Sequence, residues 1–287
     1  METIGVVGLG LIGGSLARAI KAHGGYRVLG ADIQESVRLR AKLVGAVDGI
    51  LEDSELGNVD MLILSLYPQG TIQWMKEHVS QLRPGTLVVD CCGVKRVVCE
   101  ALGGLCKDHG LVFLGGHPMA GIERSGFEAS MGNLFNQASM ILVPQGALPI
   151  ETLERVKNFF LELGFGSVKF TTAEEHDRII AYTSQLPHIL ASSYVQSPTA
   201  LQHSGFSAGS FRDMSRVATM QETLWSELFL ANRDDLLKEL DHVIGNLQAF
   251  RTALSDGDEA ALQKLIRTGR ETKEKVNALP RTPYSLF

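Results

Sequence analysis

Cysteine, long apolar runs, excess charge of one sign and repeated or low-complexity segments are all scarce in this sequence of 287 residues. The four cysteines are Cys91, Cys92, Cys99 and Cys106. Their spacing forms neither a CxxC pair nor a zinc ribbon, so no metal site is expected. Adjacent Cys91 and Cys92 would make a strained disulfide that a cytosolic redox poise opposes, so reduced thiols are expected. No apolar run approaches the roughly 18 residues of a spanning helix. The opening Met1-Glu2-Thr3-Ile4 has neither the basic nor the apolar region of a signal peptide. Neither a membrane partner nor a cleaved leader is therefore expected, and the chain reads as cytoplasmic. A net charge of −5 gives no general attraction to nucleic acid, which is not expected as a partner. Only specific arginines would hold a small dianion.

What is present is enough apolar residue, 45% of the chain, for two domains of about 100–200 residues each. The first half alternates short β-branched runs with amphipathic helical stretches. Strands are predicted at Ile4–Val7, Arg27–Ala31, Met61–Leu66, Thr86–Asp90, Leu111–Leu114 and Met140–Val143. A helix over Pro149–Leu163, closed by Gly164, leads to a last strand at Ser167–Thr171. Such alternation specifies a mostly parallel sheet with helices on both faces. From Ala173 onward the pattern is helical, with a kink or turn expected at Pro187. The fold class is α/β: a doubly wound Rossmann-type domain over residues 1–171, then an all-helical domain over residues 172–287. Leu236, Leu240, Val243, Leu247, Phe250 and Leu254 recur at four- and three-residue steps, an apolar seam along one helix. That seam is buried either within one chain or between two. Residues Pro280–Phe287 read as a tail.

The segment Gly8-Leu9-Gly10-Leu11-Ile12-Gly13 follows a predicted strand and opens a helix, the required context of a dinucleotide fingerprint. Gly8 permits the turn, Gly10 admits the pyrophosphate against the backbone, and Gly13 lets helix and strand pack closely. Asp32 ends the second strand about 20 residues further on, where a carboxylate accepts from the ribose hydroxyls and repels the extra phosphate of NADP. NAD is therefore the predicted cofactor. Arg38 and Arg40 lie close enough in sequence to weaken that preference if either folds back toward the ribose; otherwise they read as solvated helix residues. Ser65 and Cys92-Gly93 fall at carboxyl ends of strands, where an open sheet places its ligand crevice.

Gly115-Gly116-His117-Pro118-Met119-Ala120-Gly121 follows the fifth long strand and puts a histidine on the cofactor side. Removing hydride from a carbinol carbon requires loss of the hydroxyl proton, and a neutral imidazole suits that task near pH 7. His117 is the candidate catalytic base. Six of the other histidines, His23, His78, His109, His176, His203 and His242, read as surface residues beside charged neighbours.

The ordered set GLGLIGGSLA, VVDCCGVK, GGHPMAG, TSQLPHILA and SFRDMSRVA resembles the prephenate/arogenate dehydrogenase family of tyrosine biosynthesis over nearly the whole chain. GxGxxG is widely shared, whereas HPMAG followed by SxLPH and FRDxxR is specific. The resemblance implies NAD-dependent oxidation of prephenate to 4-hydroxyphenylpyruvate, or of arogenate to tyrosine, with His117 receiving the hydroxyl proton. It implies that Arg216 holds a substrate carboxylate, that His188 lines the pocket, and that the helical domain forms a homodimer. Helical spacing then puts Arg212 one turn from Arg216 and Gln185 on the face of His188. Two departures stand out: Gly93 where the family usually has serine, and Gln185 where it commonly has histidine. Two rivals remain. One is a β-hydroxyacid dehydrogenase, whose expected lysine is missing from Ala173–Ser197. The other is an NAD-binding regulator without activity.

Overall fold

The computed structural model describes residues Met1–Leu279, and the Pro280–Phe287 tail lies outside them. Among the described residues eight strands form one sheet: β1 (Glu2–Val7), β2 (Tyr26–Ala31), β3 (Gly49–Ile50), β4 (Met61–Leu64), β5 (Leu87–Asp90), β6 (Val112–Pro118), β7 (Ser139–Pro144) and β8 (Ser167–Phe170). Their order is β3-β2-β1-β4-β5-β6-β7-β8, and only the β6–β7 pair is antiparallel. Strand order reverses between β1 and β4, which opens a crevice beyond their carboxyl ends. The seven predicted strands are present. The eighth, β3, is too short at two residues to leave a periodic signal.

Helices α1 (Leu11–His23), α2 (Glu35–Leu43), α3 (Pro68–His78), α4 (Arg96–Asp108) and α5 (Ile150–Glu162) cover the sheet. Alternate strand residues feed two separate cores, because successive side chains leave a strand on opposite faces. Val6, Ile63 and Val89 pack with Leu16 and Ile20 of α1 and Phe159 and Phe160 of α5. Val7, Leu64 and Val88 pack with Met75 of α3 and Val98 and Leu102 of α4 on the other face. Each such aliphatic side chain contributes about 1.5–3 kcal/mol on full burial.

After β8 the described residues are helical: α6 (Ala173–Ile180), α7 (Leu186–Val195), α8 (Gly209–Ser215), α9 (Glu222–Ala231), α10 (Arg233–Ser255) and α11 (Glu259–Ala278). The disturbance expected near Pro187 takes the form of a π turn over Ala181–Gln185, between α6 and α7. Proline has no N–H to donate to the preceding turn, and the π turn falls directly before it. The apolar seam lies on α10 and is only half covered: Leu236 is buried, Leu240 and Val243 pack against it, and Leu247 and Leu254 are 58% and 66% exposed. Among the described residues no helix is long and apolar enough to cross a membrane.

Candidate active site

The fingerprint glycines form a cradle with room on one side only. Gly8 has φ +86° with its α-carbon side closed by the Ser65 backbone, and a Cβ at Gly13 would fall 1.9 Å from the Gly8 carbonyl oxygen. A Cβ at Gly10 would meet nothing within 4 Å, so open space lies over the N-terminus of α1. Leu11 and Ile12 form the first turn of that helix, whose free N–H groups favour an anion. Asp32 is fixed at the lip, accepting from the Leu9 amide at 2.9 Å and the Gln34 amide at 3.0 Å. Each carboxylate oxygen keeps a lone pair for a further donor. The Ser65 hydroxyl is buried and has no hydrogen-bond partner among the described residues, an unmet polar group on a residue packed against Gly8 and Gly13. Arg38 is not solvated as read from sequence: its Nη1 donates to the Asp32 carbonyl at 2.6 Å. Arg40 pairs with Glu128.

Cys92 does not present its thiol to the crevice. It is 3% exposed, its Sγ lies 3.3 Å from Thr71 Oγ1, and burial pushes its pKa well above the ordinary range. Its amide donates to Asp90. Gly93, next in sequence, lies against α9: a Cβ there would sit 3.3 Å from Leu228 Cδ2.

His117 stands within β6, paired across to Ile141 of β7, rather than in a loop after a shorter strand. Glycines precede it because a Cβ at Gly116 would strike the Asp90 carbonyl at 2.3 Å. The imidazole is partly exposed, and its Nδ1 lies 2.9 Å from Nε2 of His176. His176, expected at the surface, is instead buried, with 2% exposure. Its Nδ1 lies 2.7 Å from Asp177 Oδ1, and Asp177 is fully buried. Burial, then His176 and Lys95, hold the His117 pKa well below the usual histidine value.

His176 and Asp177 share one face of α6 with Ala173 and Ile180, the helix side turned inward. Asp177 receives the Lys95 amide at 2.7 Å, the Arg96 amide at 2.9 Å and Arg96 Nε at 3.3 Å. The first turn of α4 thus docks on α6. Arg96 Nη2 continues to Asn232 Oδ1 at 2.8 Å and Asp235 Oδ2 at 3.0 Å.

The other residues expected around the substrate are divided. Arg216 occupies a short turn packed on α7, and its Nη1 donates to Glu123, in the segment that leads away from His117. His188 on α7 bonds through Nδ1 to the Ser184 carbonyl at 2.7 Å and stacks on Trp225 at 3.8 Å. Its Nε2 is left for another partner. Gln185 does not share the exposed face of His188. At 1% exposure it is held between the Asn232 side-chain amide and the Leu228 carbonyl. Arg212 projects into solvent beside Asp213 and does not meet Arg216. Its helix, α8, ends at Ser215, so the common face expected from spacing does not continue.

The family model described as prephenate dehydrogenase, nucleotide-binding domain, matches residues 16–169, and the one described as prephenate dehydrogenase, dimerization domain, matches residues 172–268. A cyclohexadienyl dehydrogenase from Zymomonas mobilis is 32% identical, covering 89% of this chain and 90% of that protein. Synechocystis arogenate dehydrogenase superposes with a TM-score of 0.79 at 27% identity, covering 96% of this chain and 99% of that one. Prephenate dehydrogenase from Aquifex aeolicus, solved with hydroxyphenyl propionate and NAD+, gives 0.82 at 25% identity over 96% and 98% of the two chains.

Proposed function

Because the chain belongs to the prephenate dehydrogenase family, we propose that it oxidises a cyclohexadienyl carbinol with His117 as the proton acceptor and Arg216 as a carboxylate anchor. It is an NAD-dependent oxidoreductase of tyrosine biosynthesis. The open cradle over Gly10 and the unpartnered Ser65 hydroxyl suit the dinucleotide. Leu11 and Ile12 would offer backbone N–H groups to its pyrophosphate, and Asp32 would receive the ribose hydroxyls. NAD supplies a nicotinamide ring that accepts hydride.

The chain's own residues do the rest. His117 takes the ring hydroxyl proton as the carbinol C–H pair departs, leaving a carbonyl carbon. Loss of the ring carboxylate as CO2 then returns its bonding electrons to the ring, which becomes an aromatic phenolate and takes back from His117 the proton that makes it a phenol. Prephenate gives 4-hydroxyphenylpyruvate and arogenate gives tyrosine. Arg216 binds one carboxylate in two parallel hydrogen bonds after exchanging Glu123 for it. His188 lines the same pocket through Nε2.

The observation that carries this reading is a partly exposed imidazole on β6 kept neutral by its surroundings. A base must be unprotonated before it can act. We draw the domain boundary between Thr171 and Thr172, and we assign substrate binding and homodimer formation to the helical part. The four unpaired thiols and the dependence on NAD support a cytoplasmic location, and the net negative charge argues against a nucleic-acid partner.

The test is a set of initial rates with prephenate and with arogenate, each with NAD and NADP. NADH should form together with CO2 and an aromatic product. Turnover on a β-hydroxyacid alone would favour the first rival. NAD binding without NADH from any substrate would favour the second.

A further inference from the structure

We infer that Asp177 and His176 act as positioning residues that fix the tautomer of His117, placing its ring proton on Nδ1 and its free lone pair on Nε2. The inference rests on His117 being the base and concerns how it is made one.

Asp177 is fully buried, yet four N–H groups converge on it: the Lys95 and Arg96 amides, Arg96 Nε and the His176 ring. Burial works against its ionisation, but these donors outweigh burial and hold its pKa below the usual carboxylate range. Its place at the N-terminus of α4 acts in the same direction. An ionised carboxylate has only acceptor sites, so the His176 Nδ1 in contact with it must carry a proton.

Burial keeps His176 neutral against the opposing pull of Asp177. A neutral imidazole holds one ring proton, so with Nδ1 protonated its Nε2 is an acceptor. Only one proton fits in the 2.9 Å contact between that Nε2 and His117 Nδ1, and it must come from His117. With its own proton thus engaged, His117 presents a bare Nε2. The reverse tautomer would present an N–H, which cannot take a proton from a hydroxyl.

Among the described residues the His117 ring has no side-chain hydrogen bond other than the one to His176. The relay also ties the base to the packing of the two parts. Asp177 and His176 come from α6, the amides that hold Asp177 come from α4, and His117 comes from the sheet. As His117 gains a proton, the cation that develops is linked through His176 to the Asp177 anion, so charge is balanced without any group entering from solvent.

The direct experiment uses the unaltered protein. Long-range proton–nitrogen NMR of 15N-histidine-labelled chain near pH 7.5 reports which ring nitrogen carries hydrogen. His117 and His176 should both be protonated on Nδ1 and bare on Nε2, and a hydrogen on His117 Nε2 would overturn the inference. Two variants give an independent reading. His176→Leu removes the acceptor and should lower kcat roughly 10²–10⁴-fold, the range seen when a base is lost or its tautomer inverted. The KM for prephenate should stay within a few-fold. His176→Gln keeps an oxygen able to accept from His117 and should recover part of that loss. A His176→Leu enzyme with unchanged kcat would contradict the relay. If His117→Asn were itself active, the base assignment would fall. If that variant were dead while the NMR showed hydrogen on Nε2, only the relay would.

Discussion

The ammonium of Lys95 donates to the carboxylate of Asp90, and neither side chain has any exposed surface. Lys95 also donates to the Gly116 carbonyl at 2.6 Å, and Asp90 receives the Gly116 amide at 3.1 Å, so the pair grips the peptide that precedes His117. Removing one partner of a buried pair leaves a charge without compensation, at a cost of about 3–5 kcal/mol. Lys95→Met should lose that much in urea unfolding. A loss under about 1 kcal/mol would mean that the Cys92 and Gly116 amides satisfy Asp90 alone.

Activity and stability should both weaken in acid, for related reasons. His117, His176 and His188 all have pKa values lowered mainly by burial. For activity, a base with a depressed pKa stays unprotonated further into acid, so the acid limb of kcat/KM should have its midpoint below about 6.5, the ordinary histidine value. For stability, the unfolded chain takes up protons below about 6.5 while the folded chain does not. Stability present above that pH is therefore lost as pH falls toward the folded values. Urea midpoints at descending pH read this directly; a midpoint constant from about pH 7 to 5 would contradict it.

Arg216 is more than half exposed and is paired with Glu123, so its worth lies in what replaces that partner. Charge-assisted hydrogen bonds contribute about 1.5–3 kcal/mol, which corresponds to roughly 10- to 100-fold in affinity. Arg216→Ala should raise the KM for prephenate by that factor with kcat within a few-fold. Steady-state kinetics at saturating NAD would show it, and an unchanged KM would remove the residue from carboxylate recognition.

Leu247 and Leu254 of α10 and Ile266 of α11 are each more than half exposed. A helix face of this kind is buried by a second copy in the proposed dimer. Leu247→Glu with Leu254→Glu should convert the dimer to a monomer in sedimentation velocity. A dimer of unchanged affinity would place the interface elsewhere.

The sheet was legible in the sequence because buried parallel strands are continuous apolar runs, as in Met-Leu-Ile-Leu at 61–64. The glycine turn and the placing of Asp32 beside it were legible because both serve local geometry. His117 was visible through its glycine neighbours. His176 and Asp177 were not, because Glu174 and Glu175 before them read as the solvated first turn of a helix. A usable signal existed: Ala173, His176, Asp177 and Ile180 keep the three- and four-residue steps of a buried helix face. Gln185 and Arg212 were misplaced because helical spacing was extended across a π turn in one case and past a helix end in the other. Neither interruption follows from propensity alone.

Single-turnover oxidation of prephenate by His117→Asn, run beside NAD binding to the same variant, separates loss of the proton acceptor from loss of the cofactor. The rate should fall by roughly 10²–10⁴ while NAD affinity stays within a few-fold of the parent. A rate near the parent's, with NAD bound normally, would contradict the assignment of His117 as the proton acceptor.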